Sequence, residues 1–216
     1  LPSSKLVLDV TSSQPHRAMR HEAPMPKTKT AATKSICQLK VTLVGTEPPI
    51  WRRLQVPGNV TLRKLAAIIN TAMGWQSYHL HEFHLGKEVW GVRTPAGDDV
   101  GYEVNDDRKS TLAEVAPRRS SEIRYTYDIG DGWLHRVVVE RIVDPQPKQH
   151  YPACLEGQRA CPPEDCGGIP GFYNLLDVLG DPKHPDHEGL SEWVGGKFDA
   201  EAFDLEETNK ALHRIR

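Results

Sequence analysis

From Ile36 onward the chain alternates apolar and polar side chains in the manner of a strand buried on one face. Cys37, Leu39, Val41 and Leu43 are separated by Gln38, Lys40 and Thr42. Gly45-Thr-Glu-Pro-Pro49 supplies a turn, and Ile50-Trp-Arg-Arg-Leu-Gln-Val56 returns as a second strand ended by Pro57-Gly58. The period then changes. Leu62, Leu65, Ile68, Ile69, Ala72 and Met73 fall at helical spacing, with Thr61 in place as N-cap and Gly74 as C-cap glycine. Tyr78-His-Leu-His-Glu-Phe-His-Leu85 predicts a further strand, which Gly86-Lys87 turns into Glu88-Val-Trp-Gly-Val92.

The Asp- and Gly-rich residues 94–109 predict a mobile loop, and residues 111–115 a short helix capped by Ser110 or Thr111. Ile123, Tyr125 and Tyr127 alternate along the next strand, and Asp128-Ile-Gly-Asp-Gly132 turns it back. On the returning strand Trp133, His135, Val137 and Val139 share one face. The last third is helical in pattern, opening at residues 171–179 and continuing near residues 186–194 and 200–214. Strands first and helices afterwards predict an α+β domain: an antiparallel sheet with an N-terminal β-grasp-like ββαβ unit and a helical C-terminal third.

Composition narrows the setting. Of 27 basic and 29 acidic residues, six and two fall in residues 1–36, which leaves the rest near −6. An acidic body argues against broad contact with a phosphate backbone, which needs clustered Lys and Arg. Residues 1–35 mix Ser, Thr, Pro, Lys and His without periodicity, so they are expected to be a disordered leader preceding a single domain over 36–216. Met25-Pro-Lys-Thr-Lys-Thr resembles a bacterial start, which would make the residues before it foreign to the native protein. The chain contains no apolar run of membrane-spanning length and no secretion signal, so a cytoplasmic protein away from the membrane is expected. In that compartment its four cysteines are reduced thiols.

Three of those thiols carry the main chemical signal. Cys154, Cys161 and Cys166 lie in one Pro- and Gly-rich stretch, expected as a loop. Zinc takes four thiolate or imidazole ligands in a tetrahedron, so a fourth is needed; His135 is the first choice, with His79 and His81 next. The spacings Cys-x6-Cys and Cys-x4-Cys are looser than those of a zinc ribbon, and buried thiols in a backbone-held turn would leave the same pattern. Cys37 reads as a small core residue. His79 and His81 point to one face of their predicted strand and His84 to the other. Asp128 and Asp131 sit in a tight turn, and one of them is the expected partner of an inward-facing His135. His79, His81, Asp128, Asp131 and Trp133 are therefore the candidate binding residues. No phosphate loop, dinucleotide fingerprint, nucleophile elbow or His-Glu-x-x-His motif is present.

Five motifs in order then carry a resemblance. Ile50-Trp-Arg-Arg-Leu, Met73-Gly-Trp, His79-Leu-His-Glu-Phe83, Tyr127-Asp-Ile-Gly-Asp-Gly-Trp-Leu-His135 and Ala160-Cys-Pro-Pro-Glu-Asp-Cys-Gly-Gly168 resemble the plasmid pRiA4b Orf-3-like family from about residue 36 to 214. The resemblance implies a single α+β domain found on chromosomes, plasmids and insertion elements, and it implies no particular reaction. Two functions stay open. One is a non-catalytic binding or adaptor domain that docks a protein partner, with its acidic C-terminal helices as a surface and zinc fixing the cysteine loop to the His135 hairpin. The other is a small metal-dependent hydrolase or nuclease using His79, Asp131 and His135.

Overall fold

The alternation that begins at Ile36 closes into a sheet because each apolar position meets another across the ladder. The computed structural model describes residues 35–92 and 103–215. Residues 1–34 of the expected leader and residues 94–102 of the expected loop lie outside these. Strand β1 (Ile36–Leu43) pairs antiparallel with β2 (Trp51–Pro57), placing Leu39 opposite Leu54. After helix α1 (Leu62–Met73) come β3 (His81–Leu85), β4 (Glu88–Gly91), β5 (Val104–Asp106), helix α2 (Leu112–Val115), β6 (Glu122–Tyr127), β7 (Trp133–Val143) and β8 (Ala153–Gln158). Helices α3 (Gly168–Gly180), α4 (His187–Trp193) and α5 (Leu205–Leu212) complete the described chain.

The eight strands form one sheet in the order β5-β4-β3-β6-β7-β1-β2-β8. Every neighbouring pair is antiparallel except β4 with β5. The α+β class holds, with the helices toward the C-terminus. The ββαβ order holds along the chain as well, but β3 is separated from β1 by β6 and β7.

Helix α1 forms where the spacing predicts it. The Thr61 side chain accepts from Lys64 N at 3.2 Å, and Gly74, at φ 109°, ends the helix by donating to Asn70 O at 2.9 Å. Its buried face carries Leu62, Leu65, Ile68 and Ile69, each contributing about 1.5–3 kcal/mol by leaving water. That face packs into the same core as the inner side chains Leu39, Val41, Phe83, Tyr125, Trp133 and Val137. The opposite face of the sheet is polar: Gln38, Arg53 and Glu140 are joined there by side-chain hydrogen bonds.

Three expectations change. The stretch from Cys154 to Cys166 is not one loop, because Cys154 lies inside the edge strand β8, opposite Leu54. The Asn209 side chain of α5 covers its backbone there, accepting from Cys154 N at 2.8 Å and donating to Cys154 O at 2.9 Å, as an exposed edge requires. The polar stretch before residue 110 contributes β5. Finally, β3 begins only at His81: Ser77 takes φ 66°, and residues 78–80 stay outside the ladder.

Candidate functional site

Three segments meet at one corner of the sheet: the exit of α1, the turn between β6 and β7, and the Pro-Pro-Glu-Asp turn between Cys161 and Cys166. Trp75 pins the first to the third, its indole Nε1 donating to Pro162 O at 2.9 Å. The same ring packs 5.1 Å from Tyr127, 5.7 Å from Trp133 and 5.3 Å from His135. Glu164 then accepts from Gln76 N at 3.1 Å and, through its other oxygen, from the Tyr127 hydroxyl in a very short bond. Burial first, and then this bond to Glu164, raise the Tyr127 phenol well above its usual range. It therefore acts as a donor.

At the mouth of this corner His79 stands between two carboxylates. Its Nδ1 is 3.6 Å from Asp128 Oδ2, and its Nε2 is 3.1 Å from Asp165 Oδ1. Among the described residues this is the one group of three or more His, Cys, Asp and Glu donor atoms lying within 4.8 Å of one another. Asp128 is held by its own turn, at φ 54°, with Oδ1 accepting from Gly130 N at 2.9 Å. Asp165 was missed in the sequence, where it reads as one more turn residue. Its position directly before Cys166, in a motif carrying the family resemblance, was the available signal.

The predicted zinc ligands are not gathered. Cys154 donates from its own strand to Glu156 O at 3.4 Å, while Cys161 and Cys166 flank the corner turn. With the His135 ring they form no group of donor atoms within 4.8 Å of one another, as a four-ligand ion requires. Burial raises all four thiols, Cys37 to about 11 and Cys166, with help from the Asp131 and Asp165 charges, to about 12. Neutral thiols are poor nucleophiles.

His135 and Trp133 are fully buried core residues. The expected carboxylate partner of His135 is instead a backbone carbonyl, Tyr125 O, 3.2 Å from Nδ1. Because β6 lies alongside, its backbone reaches the ring before any turn side chain does. Neither Trp133 as a ligand contact nor a His79–Asp131–His135 catalytic set is built.

Asp131 has a different task. Its Oδ2 accepts from Gly167 N, the N-cap of α3, at 3.1 Å, and a Cβ on Gly168 (φ +67°) would sit 2.5 Å from Asp131 O. The turn and the start of α3 are thus clamped together. Asp131→Ala is expected to cost about 1 kcal/mol, the usual worth of a helix-capping carboxylate, as read from the urea midpoint.

His81, expected beside His79, faces elsewhere. Its Nε2 bonds to the fully buried Asp107 at 2.8 Å, and Arg63 Nε bonds to the same oxygen at 2.7 Å. Burial works to raise the Asp107 carboxyl, but these two bonds outweigh it and hold the group below its usual range. This is a structural ion-pair cluster tying α1 to β3. The shared face anticipated for His79 and His81 fails because residue 79 precedes the ladder.

The comparisons agree with this architecture. A crystal structure of the protein of unknown function MM3350 from Methanosarcina mazei Go1 superposes with a TM-score of 0.72 at 35% identity, covering 81% of this chain and 96% of that one. The uncharacterized protein y4hQ of Sinorhizobium fredii (strain NBRC 101917 / NGR234) is 35% identical over 179 residues, 82% of this chain and 91% of its own. The family described as plasmid pRiA4b ORF-3-like protein matches residues 35–207. By fold, by motifs and by this match, the chain belongs to the plasmid pRiA4b ORF-3-like family.

Proposed function

We propose that this protein is a non-catalytic binding domain of the cytoplasm, and that the corner around His79 is where it receives a protein partner. One observation carries the reading. Tyr78, Leu80 and Ile129 expose 59%, 50% and 51% of their surface, large apolar side chains framing the Asp128, Glu164 and Asp165 carboxylates. Apolar anchors around directional acceptors are what a recognition surface presents. Leu80 and Ile129 are held on one rigid platform, since Asp128 N donates to Leu80 O at 2.9 Å. The groups that a hydrolase would use are meanwhile occupied or sealed: Asp131 caps α3, and His135 is closed inside the aromatic core. The plasmid in the family's name supports the further part of this reading, a protein carried on mobile elements. No helix among the described residues is long and apolar enough to cross a membrane.

The partner chemistry that fits is a peptide segment with apolar side chains for the frame and N–H donors, backbone or basic, for the carboxylates. Selection of peptides from a random display library against the full chain, in chelator, tests this. Enriched peptides are expected to combine apolar and basic residues and to lose at least about 10-fold in affinity, or 1.4 kcal/mol, against Leu80→Asp and Ile129→Asp. Absence of enrichment, or peptides indifferent to both substitutions, overturns the reading.

A further inference from the structure

We infer that His79, Asp128 and Asp165 form a divalent-cation site. The argument starts from the imidazole. His79 has a carboxylate oxygen near each ring nitrogen, 3.6 Å from Nδ1 and 3.1 Å from Nε2. One donor atom from each of the three residues lies within 4.8 Å of the other two, and two carboxylates held that close attract a positive charge. The hydrogen-bond pattern sharpens this: Nε2 is closed to solvent and has no hydrogen-bond partner among the described residues, despite the nearby oxygen. A metal ion supplies that charge and uses the lone pair as a bond.

The donor set names the class of ion. One imidazole and two carboxylates, without sulfur, suit Zn2+, Mn2+, Co2+ or Fe2+ and disfavour Cu+. The three donors come from three separate segments, so an ion would lock the exit of α1, the β6–β7 turn and the Cys161–Cys166 turn together. Asp165 is the most accessible of the three, with its side chain 59% exposed against 26% for His79 and 12% for Asp128. The ion would enter from that side. Three protein donors leave at least one coordination position for water or for a donor atom of a bound partner. The inference does not require the docking reading, because the apolar frame plays no part in it.

Titration of the untagged, full-length protein with Co2+, followed by visible absorption and calorimetry, tests the site. One equivalent is expected to bind with the spectrum of nitrogen and oxygen ligation. His79→Ala and Asp165→Asn should each weaken it at least about 10-fold, and His213→Ala, away from the corner, should leave it unchanged. All three positions are at or near the surface, and urea unfolding confirms that each variant folds. The inference is overturned if no cobalt spectrum develops. It is equally overturned if binding survives both corner variants, or if a thiolate charge-transfer band dominates and disappears in Cys161→Ser. Peptide selection in chelator reads the docking surface alone, so the two readings fail separately.

Discussion

Replacing Arg52 with alanine is expected to lower the unfolding free energy by about 3–5 kcal/mol, a large part of what holds a domain of this size together. The residue sits on the inner face of β2, 3% exposed, and its guanidinium makes no ion pair among the described residues. It instead serves four backbone carbonyl bonds. Nε donates to Ala72 O at 2.9 Å, Nη1 to Trp51 O at 2.8 Å and Gln158 O at 2.9 Å, and Nη2 to Arg159 O at 2.9 Å. Ala72 lies in the last turn of α1, where carbonyls lack helical partners and the helix dipole favours a cation. The chain leaving β8 presents the Gln158 and Arg159 carbonyls in the same way. One planar group therefore joins the end of the helix to the end of the edge strand. The Phe203 ring closes the site 4.3 Å from the guanidinium carbon. Gly157 leaves room for this, since a Cβ there would lie 2.6 Å from Phe203 Cζ and 2.8 Å from Arg52 Cδ.

Four charge-assisted bonds at roughly 1.5–3 kcal/mol each would sum to more than the expected loss, but water returns to the outer carbonyls once the side chain is gone. Arg52→Lys should recover only part of the loss, because an ammonium is a point donor and cannot span acceptors arranged around a fork. The neighbouring Arg53 is the control. It lies on the open face, a quarter exposed, bonded to Glu140 and Glu156, and its alanine variant should lose less than about 1 kcal/mol. Urea midpoints at constant m-value measure all three. Equal losses for Arg52→Ala and Arg53→Ala would sink the account.

Arg52 also shows how far the sequence could be read. The alternation in Ile50-Trp-Arg-Arg-Leu-Gln-Val56 places residue 52 on the face of Leu54 and Val56, so a buried arginine was legible, although its acceptors were not. Those acceptors are backbone atoms from distant segments, and no side-chain pattern announces them. The hairpins, α1 with its two caps, and the inward face of Trp133 and His135 were legible because each rests on a local period. Strand β8 was hidden because Leu155-Glu-Gly-Gln158 has no apolar alternation: it is an edge strand, tied on one side to β2 and covered by Asn209 rather than by core packing. Asp107 was hidden for the opposite reason, since an aspartate in a polar, Gly-rich stretch looks solvated when it is in fact fully buried. In the candidate site, His79 and Asp128 stood out by residue type. Asp165 joins them only because the turn before Cys166 folds back to the exit of α1, a closure made by Trp75 and Glu164.

His135 should make the fold sensitive to mild acid, with about 3 kcal/mol of stability lost between pH 6.5 and pH 4. Tyr125 O can only accept, so Nδ1 carries the ring proton and Nε2 is left as a lone pair, buried and without a partner among the described residues. Protonating Nε2 would create a charge with no counter-ion, wedged against the Trp75 and Tyr125 rings at 5.3 and 5.4 Å. Burial accordingly lowers the pKa from 6.5 to about 4, against the smaller opposing effect of the Tyr125 and Trp133 backbone. The sign follows from proton counting. Between the two values the unfolded chain binds a proton that the native ring refuses, so stability falls as pH drops below 6.5. The fall approaches 1.4 kcal/mol per pH unit and levels off below pH 4, where both states are protonated. His135→Met keeps most of the volume and removes the titrating group. Its stability at pH 7 should be lower through the lost bond to Tyr125 O, yet its decline toward pH 4 should be shallower than wild type by about 3 kcal/mol. Urea unfolding at pH 7, 6, 5 and 4 gives both curves. Parallel curves would show that the ring is already charged or solvated, and the closed aromatic core described around Trp75 would then be wrong.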